Sequence, residues 1–406
     1  MKILVSLNFT LIFFQILFSC SGQSQNSSQT VHAKKPSLRV GGDCEEGYCE
    51  LMYLGIPSQI ESTDTSPGWY EEGQKLIVTG TAFQIDGKTP APGVVIYYHH
   101  TDNEGYYSPR HDKPENQTRH GHIRGWVKTD SSGKYTIRTI RPAPYPDRSE
   151  PAHIHWLIKE PDVSNEYWTD DLVFDDDELL IPHIKKHKRQ NWGGSGITRV
   201  LLKDSLQIAE HNFILGLNIP NYPKTMPDAV QSGLNIGEDQ PSFSPYHAHG
   251  PDKGSTACPV CKYGRYHGIL YYVGNNPNWT DIKSWLTFLE RESEKRKKYL
   301  KVYFVFGDDH GYSKETRRNQ LAKLGDELNI RNTALTFVPS FHDKATEVYL
   351  NQINPTVSNT FIVYKHRSIV DKYIDLKPTR ENFSKITNAL NNTQGDHFDL
   401  DEPQHD

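Results

Sequence analysis

Short apolar runs separated by turn-forming residues dominate the chain from about residue 51 to residue 222. Runs of about four to eight residues, bounded by Gly, Pro, Asn and Asp, are typical of β-strands. The clearest of them are Lys75-Leu-Ile-Val-Thr79, Val94-Val-Ile-Tyr97, Lys134-Tyr-Thr-Ile137, Ile154-His-Trp-Leu-Ile158, Gly196-Ile-Thr-Arg-Val-Leu-Leu202 and Asn212-Phe-Ile-Leu215. The pattern predicts an all-β sandwich or barrel, and we assign residues 38–224 to this domain as a sandwich. The turn Asp130-Ser-Ser-Gly-Lys134 indicates a hairpin.

The pattern changes after residue 256, where strand-like runs alternate with amphipathic helical segments. The predicted strands are Gly268–Val273, Lys301–Phe306, Ala334–Val338, Thr360–Tyr364 and Ser368–Tyr373, and the predicted helices are Trp279–Tyr299, Lys314–Leu328 and Arg380–Leu390. Alternating strands and helices predict an α/β domain, here over residues 257–392.

Three segments lack the hydrophobic periodicity of a helix or a strand. Residues 225–256 are rich in Pro, Ser and Gly and are predicted to be a linker. Residues 393–406 form an acidic tail that we expect to be disordered. The acidic run Asp175–Glu178 and the basic run Lys185–Arg189 indicate a solvated loop within the sandwich.

The first 20 residues combine one early lysine with an apolar run that is too short for a comfortable membrane span. This pattern predicts an export signal. Its end, Leu17-Phe-Ser-Cys20, resembles a bacterial lipobox, which would make Cys20 a lipidated residue and anchor the protein in the periplasm or cell envelope. Simple secretion is the alternative, because Phe18 is bulkier than the usual residue. Residues 21–37 are predicted to be a flexible tether.

Length and charge narrow the classes of function. A chain of 406 residues suggests two domains with additional tails. The net charge of −5 gives no electrostatic basis for binding nucleic acid, which requires a basic surface.

A candidate metal site lies where a Pro-rich loop enters a strand. His153 and His155 are two residues apart, so both imidazoles lie on one face of the strand. Tyr145 precedes them, and a second tyrosine cluster occurs in Gly105-Tyr-Tyr107. A phenol with a pKa of about 10 ionises at neutral pH only beside a strongly charged cation. Two His and two Tyr therefore favour Fe(3+), which prefers anionic oxygen, over magnesium or calcium.

The same residues carry a resemblance to the intradiol ring-cleavage dioxygenases, which open catechols between their two hydroxyls. The matching segments are Leu76–Ala82, Gly87–Tyr97, Gly105–Tyr107, Gly125–Pro142, Tyr145–Pro146 and Pro151–His155, in the order typical of the family. The resemblance implies non-haem iron(III) bound by Tyr107, Tyr145, His153 and His155. Tyr107 is preferred to Tyr106 because the family places this tyrosine two residues after the glycine. The implied partners are a catecholic aromatic substrate, which would displace a tyrosinate, and dioxygen.

One position departs from the family pattern. The family typically carries Arg just before the Pro-Ala-His-Ile-His run, and this chain carries Glu150. A negative side chain would disfavour a carboxylated catechol. Arg148 or Arg124 could supply the missing positive charge, and Asp171 occupies the region where the family tends to place Gln. The remaining nearby histidines are interpreted as surface or substrate-loop residues and not as ligands: His99, His100, His111, His120 and His122.

The remaining cysteines form two close pairs, which in an exported protein suggest disulfides or redox dithiols. Cys44 and Cys49 favour a structural disulfide over a metal site. Cys258 and Cys261 form a Cys-x-x-Cys motif ahead of the α/β domain, which loosely resembles thioredoxins. In thioredoxins, however, this motif follows the first strand. A redox pair, a structural disulfide and a metal clip with His247 and His249 all remain open.

The sequence thus predicts an exported, two-domain protein with an intradiol-dioxygenase-like sandwich and a thioredoxin-like domain. Ring cleavage of a catechol is the favoured function. Two other classes remain open: a non-catalytic sandwich that binds a ligand or a partner, and a periplasmic thiol–disulfide oxidoreductase.

Overall fold

A computed structural model describes residues 38–42, 44, 48–112, 118–224 and 230–403. The predicted export signal, Cys20 and the tether lie outside these residues. The strands are β1 (Thr63–Thr65), β2 (Lys75–Phe83), β3 (Val95–His100), β4 (Arg124–Lys128), β5 (Lys134–Ile140), β6 (His153–Lys159), β7 (Tyr167–Trp168), β8 (Leu172–Phe174), β9 (Ile197–Thr198), β10 (Val200–Lys203), β11 (Leu206–Glu210), β12 (Phe213–Ile214), β13 (Tyr246–His249), β14 (His267–Val273), β15 (Leu300–Phe306), β16 (Thr333–Phe337), β17 (Thr360–Lys365) and β18 (Ser368–Ile374). The helices are α1 (Leu180–Lys186), α2 (Pro259–Tyr263), α3 (Trp279–Arg296), α4 (Lys314–Glu327) and α5 (Arg380–Thr393). Within the described residues no helix combines the length and the apolar character needed to cross a bilayer.

The first twelve strands form two mixed sheets. One sheet has the order β1-β5-β2-β11-β10, with β12 beside β2, and the other has the order β4-β3-β6-β8-β9, with β7 beside β6. Side chains from both sheets share one core, which includes Val78, Ile137, Ile154 and Trp156. The predicted hairpin at residues 130–134 is wrong: β4 and β5 belong to different sheets, and the turn carries the chain from one sheet to the other. Local turn chemistry alone cannot distinguish these two connections.

A buried histidine in this core makes the stability of the sandwich depend on pH. His211 stacks on Trp156 with ring centroids 5.7 Å apart, and among the described residues its Nε2 has no hydrogen-bond partner. Burial, with a smaller contribution from Arg189, lowers the pKa of His211 to about 3. The unfolded chain binds this proton near pH 6.5, so the stabilisation is complete above that pH and is lost as the pH falls toward 3.

We expect His211→Leu to reduce the loss of stability on acidification. Between pH 7.5 and pH 5, His211 accounts for about 2 kcal/mol of the decrease in the free energy of unfolding, which the variant lacks. Urea titrations at the two pH values measure this difference, with the exposed His187→Leu as control. An unchanged pH dependence in His211→Leu contradicts the prediction.

The C-terminal strands form a third sheet with the order β13-β16-β15-β14-β17-β18. Strands β14, β15 and β16 are parallel, whereas β17 runs antiparallel to β14. Helices α3, α4 and α5 all contribute to the core on one face of this sheet, for example through Trp285, Leu321 and Ile386. The opposite face is covered by Phe243 and by Val260 of α2. The predicted strands and helices of this half are all present, whereas the thioredoxin resemblance stays a prediction.

Several segments predicted to be irregular are ordered. The predicted linker contains β13, which pairs antiparallel with β16 at the sheet edge. The predicted solvated loop contains α1, and the carboxylate of Asp176 pairs with Arg141 at 2.6 Å. In the tail, Phe398 is buried and the backbone N–H of Leu202 donates to the carbonyl of Asp401. Pairing with distant residues orders these segments, and that pairing leaves no local sequence period.

Candidate metal centre

Strand β6 divides its side chains between the core and the candidate site. Ile154 and Trp156 are buried in the sandwich core, while His153 and His155 lie on the opposite face. Strand β3 pairs antiparallel with β6 and places His99 opposite His155. The alternation of side chains along a strand therefore presents both imidazoles on one side of a rigid element.

The two tyrosines come from neighbouring loops that a glycine allows to approach. The carboxylate of Asp102 accepts hydrogen bonds from the backbone N–H groups of Glu104 and Tyr106, both at 3.0 Å, which shapes the first loop. Gly105 has φ +88°, and a Cβ atom there would clash with the carbonyl oxygen of Pro144 in the second loop. Only glycine permits both the backbone conformation and this close approach, which brings Tyr107 next to Tyr145.

The four predicted ligand atoms form a closed ring. The Tyr107 and Tyr145 hydroxyls are 3.0 Å apart, and the Tyr145 hydroxyl is 3.1 Å from His153 Nε2. His153 Nε2 is 3.2 Å from His155 Nε2, which is 2.9 Å from the Tyr107 hydroxyl. Donors that each lie about 2.1 Å from one ion are roughly 3 Å apart when they subtend a right angle. The structure thus brings together all four residues at spacings that suit a single metal ion.

The other imidazole nitrogens are fixed by acceptors. His153 Nδ1 donates to the carbonyl of Pro151 at 2.7 Å, and His155 Nδ1 donates to the carboxylate of Asp171 at 2.8 Å. Because these oxygens only accept, the protons lie on Nδ1 and the Nε2 lone pairs point toward each other. Two facing lone pairs repel unless a proton or cation lies between them. Burial lowers the pKa of His155, but the carboxylates of Asp171 and Glu150 together outweigh it, so the net pKa is raised.

The two tyrosines need a nearby cation in order to ionise. Burial, reinforced by the neighbouring carboxylates Glu150 and Asp171, raises the pKa of Tyr107 and of Tyr145. Their phenols therefore stay protonated at neutral pH unless a strong cation stabilises the phenolate. The donor set fits a metal ion that accepts both anionic oxygen and neutral imidazole nitrogen.

Neither arginine proposed as a replacement cation contacts the ring of donors. Arg148 is exposed and pairs with Glu178. Arg124 is buried, but it donates to the carbonyl of Leu54 and lies against the rings of Tyr97 and Trp126. Both guanidinium groups are engaged elsewhere, so the structure gives no support for a catalytic role of either residue.

The family model described as Dioxygenase matches residues 55–195. These residues contain all four donors. The N-terminal half resembles the intradiol dioxygenases.

Curated relatives agree with this family. A catechol 1,2-dioxygenase of Acinetobacter baylyi is 31% identical over 124 residues, which cover 27% of this chain and 39% of that protein. Catechol 1,2-dioxygenase 1 of Acinetobacter lwoffii is 29% identical over 197 residues, which cover 42% of this chain and 60% of that protein. The chain therefore matches less than two thirds of the length of either relative.

Solved structures also match this half. The dioxygenase domain of a dioxygenase carbohydrate-binding protein fusion from Streptomyces sp. SirexAA-E is 20% identical, with a TM-score of 0.30, over 45% of this chain and 98% of that chain. A catechol 1,2-dioxygenase from Acinetobacter radioresistens is 17% identical, with a TM-score of 0.31, over 43% and 64% of the two chains.

Some of the histidines interpreted from sequence as surface or substrate-loop residues line the buried side of the candidate metal centre. His99 stacks between His155 at 4.7 Å and His120 at 3.7 Å, and both His99 and His120 are buried. His100 and His122 are buried as well, so the surface interpretation is wrong for these four residues, whereas His111 is exposed. His99 and His100 lie on β3 and not in a loop, and the substrate-loop interpretation of His120 and His122 stays a prediction. The sequence signal for burial is the position of His99 and His100 at the end of a strand whose other residues are aliphatic or aromatic.

The cysteine pairs lie apart from the ring of donors. Cys44 and Cys49 are joined by a disulfide beside Met52 and Tyr97. Cys258 and Cys261 are also paired, and Cys261 is exposed at the start of α2. The alternative metal clip is not assembled, because His247 and His249 bind backbone carbonyls. A redox role for Cys258 and Cys261 stays a prediction.

A cavity of about 1120 Å³ lies at the junction of the two halves. It is lined by the sheet that contains β2 and β11, near Thr79 and His211. The β17–β18 hairpin near Lys365 and the end of α5 complete the lining. None of the four donors lines it. This cavity is therefore a feature of the junction and is separate from the candidate metal centre.

Proposed function

We propose that the protein is a non-haem iron(III) dioxygenase that cleaves a catechol-type ring between its two hydroxyls. The observation that carries the proposal is the closed ring of two tyrosine oxygens and two imidazole nitrogens, with both Nδ1 atoms held by other acceptors. The family match over residues 55–195 supports the reaction class. Iron(III) is favoured because it is hard and because two phenolates offset much of its charge.

Bound iron(III) would act as a Lewis acid toward a catechol and make its ring reactive toward dioxygen. The residues of the chain hold and orient the ligands. Pro151 and Asp171 fix the two imidazoles in the tautomer with Nε2 free. Tyr107 and Tyr145 are partly exposed, so a substrate can reach them from solvent. When a bound cation holds these side chains as phenolates, their oxygens would be able to accept a proton from a substrate hydroxyl.

The test is the metal content and visible spectrum of the purified protein. We expect one iron per chain, a tyrosinate-to-iron charge-transfer band, and a shift of that band when a catechol is added without oxygen. Under oxygen, the expected product is the ring-opened dicarboxylic acid, with both oxygen atoms of one dioxygen molecule incorporated. Protein loaded with zinc is the control, because it has no such band. A protein that stays colourless after iron loading contradicts the proposal.

A further inference from the structure

Two carboxylates, those of Glu150 and Asp171, act on the candidate metal centre. Glu150 immediately precedes Pro151, whose carbonyl holds His153, and Asp171 holds His155. Both carboxylates act electrostatically on each of the four donors: Tyr107, Tyr145, His153 and His155. Both carboxylates therefore add negative charge next to the four donors.

The arginines closest in sequence to these carboxylates are engaged elsewhere. Arg148 pairs with the exposed carboxylate of Glu178. Arg189 pairs with Asp170 at 3.3 Å and donates to the carbonyl oxygens of Ser195 and Asp171, at 2.9 and 3.0 Å. Neither arginine pairs with the carboxylate of Glu150.

The two carboxylates differ in how they are satisfied. Asp171 accepts a hydrogen bond from His155 Nδ1. Glu150 is only partly exposed, and within the described parts of the chain its carboxylate has no hydrogen bond or ion pair. A partly buried, unpaired carboxylate is costly to desolvate further unless a cation accompanies the desolvation. A substrate that covers Glu150 must therefore supply that cation.

We infer, on the basis of the proposed ring-cleaving function, that the substrate is a catechol with a cationic side chain, such as a primary ammonium, that pairs with Glu150. An alkylamine is protonated at neutral pH, like the side chain of lysine. A carboxylated side chain would instead place a third negative group beside Glu150 and Asp171. A neutral alkyl side chain would leave Glu150 unpaired. Charge therefore distinguishes three catechols of nearly equal size.

The experiment compares three such catechols on the iron-loaded full chain. They are 2-(3,4-dihydroxyphenyl)ethylamine, 4-ethylcatechol and 3-(3,4-dihydroxyphenyl)propionate. Dissociation constants are measured without oxygen from the shift of the visible band, and kcat/KM is measured under oxygen. We expect the amine to bind roughly 10- to 100-fold more tightly than 4-ethylcatechol, the effect of one hydrogen bond to a charged group. The acid is expected to bind more weakly than both.

Glu150→Gln removes the charge and keeps the shape of the side chain. In this variant we expect the preference for the amine over the acid to shrink by at least about tenfold in both measurements. Glu178→Gln, which removes a neighbouring exposed carboxylate paired with Arg148, is the matched control and should retain the wild-type preference.

The outcomes separate the inference from the proposed function. If 4-ethylcatechol is cleaved but the three ligands bind within twofold of one another, the inference is overturned and the proposed function stands. The same holds if the preference for the amine persists in Glu150→Gln. If the iron-loaded protein neither binds nor cleaves any of the three, the proposed function fails and the inference fails with it.

Discussion

Tyr145→Phe and Tyr107→Phe are each expected to weaken or remove the visible band and to lower kcat/KM by more than about 100-fold. Each substitution removes one oxygen from the ring of donors and keeps the aromatic ring, which packs beside His153 or His155. Loss of a residue that only orients a ligand typically costs 10- to 100-fold in metal affinity or activity, so loss of a ligand should cost more. Iron content, the visible spectrum and kcat/KM measure the effect.

Tyr106→Phe is the matched control for both variants. Tyr106 is adjacent to Tyr107 in sequence, but it is 53% exposed, and its hydroxyl is outside the ring of donors. We expect the visible band and the kcat/KM of the Tyr106→Phe variant to equal those of the wild type. If Tyr106→Phe loses the band while Tyr107→Phe retains it, the assignment of the ligand is wrong.

The contrast between these two tyrosines shows what sequence can predict about the site. The choice of Tyr107 over Tyr106 rests on the family resemblance, which places this tyrosine two residues after the glycine, and the structure places its hydroxyl 2.9 Å from His155 Nε2. The positions of His153 and His155 followed from strand alternation, which is a local property. The partner of His155, Asp171, lies 16 residues further along the chain. Its role depends on the pairing of β6 with β8, which no local pattern specifies.

The arginines illustrate where sequence reasoning fails. Arg124 and Arg148 lie near the site in sequence, but the direction of each side chain depends on tertiary contacts with Leu54 and Glu178. The same reason applies to the buried histidines, since a polar residue at a strand end does not reveal what covers it. The strands and helices themselves were predictable because period and turn residues are local. The segment around β13 was not, because pairing with β16 orders it.

Trp156→Ala is expected to lower the free energy of unfolding by about 3–5 kcal/mol. Trp156 is fully buried on β6, next to His155, and its ring packs against Phe213 and His211, with centroids 5.4 and 5.7 Å away. Alanine leaves a large cavity at the centre of the sandwich, where the total stability of a domain is typically only 5–15 kcal/mol. Denaturant unfolding of the iron-free protein measures this loss without the contribution of metal binding.

The same substitution should also weaken iron binding, because β6 carries the core side chains on one face and both imidazoles on the other. A cavity behind His155 allows the strand to shift, and a metal site tolerates only small displacements of its ligands. Trp156→Phe is the matched control: it fills most of the space and removes an indole N–H that has no hydrogen-bond partner in the part of the chain that the structure describes. We expect the Phe variant to lose less stability and to keep the visible band. If Trp156→Ala is as stable as the wild type and binds iron equally well, the core does not position the metal centre.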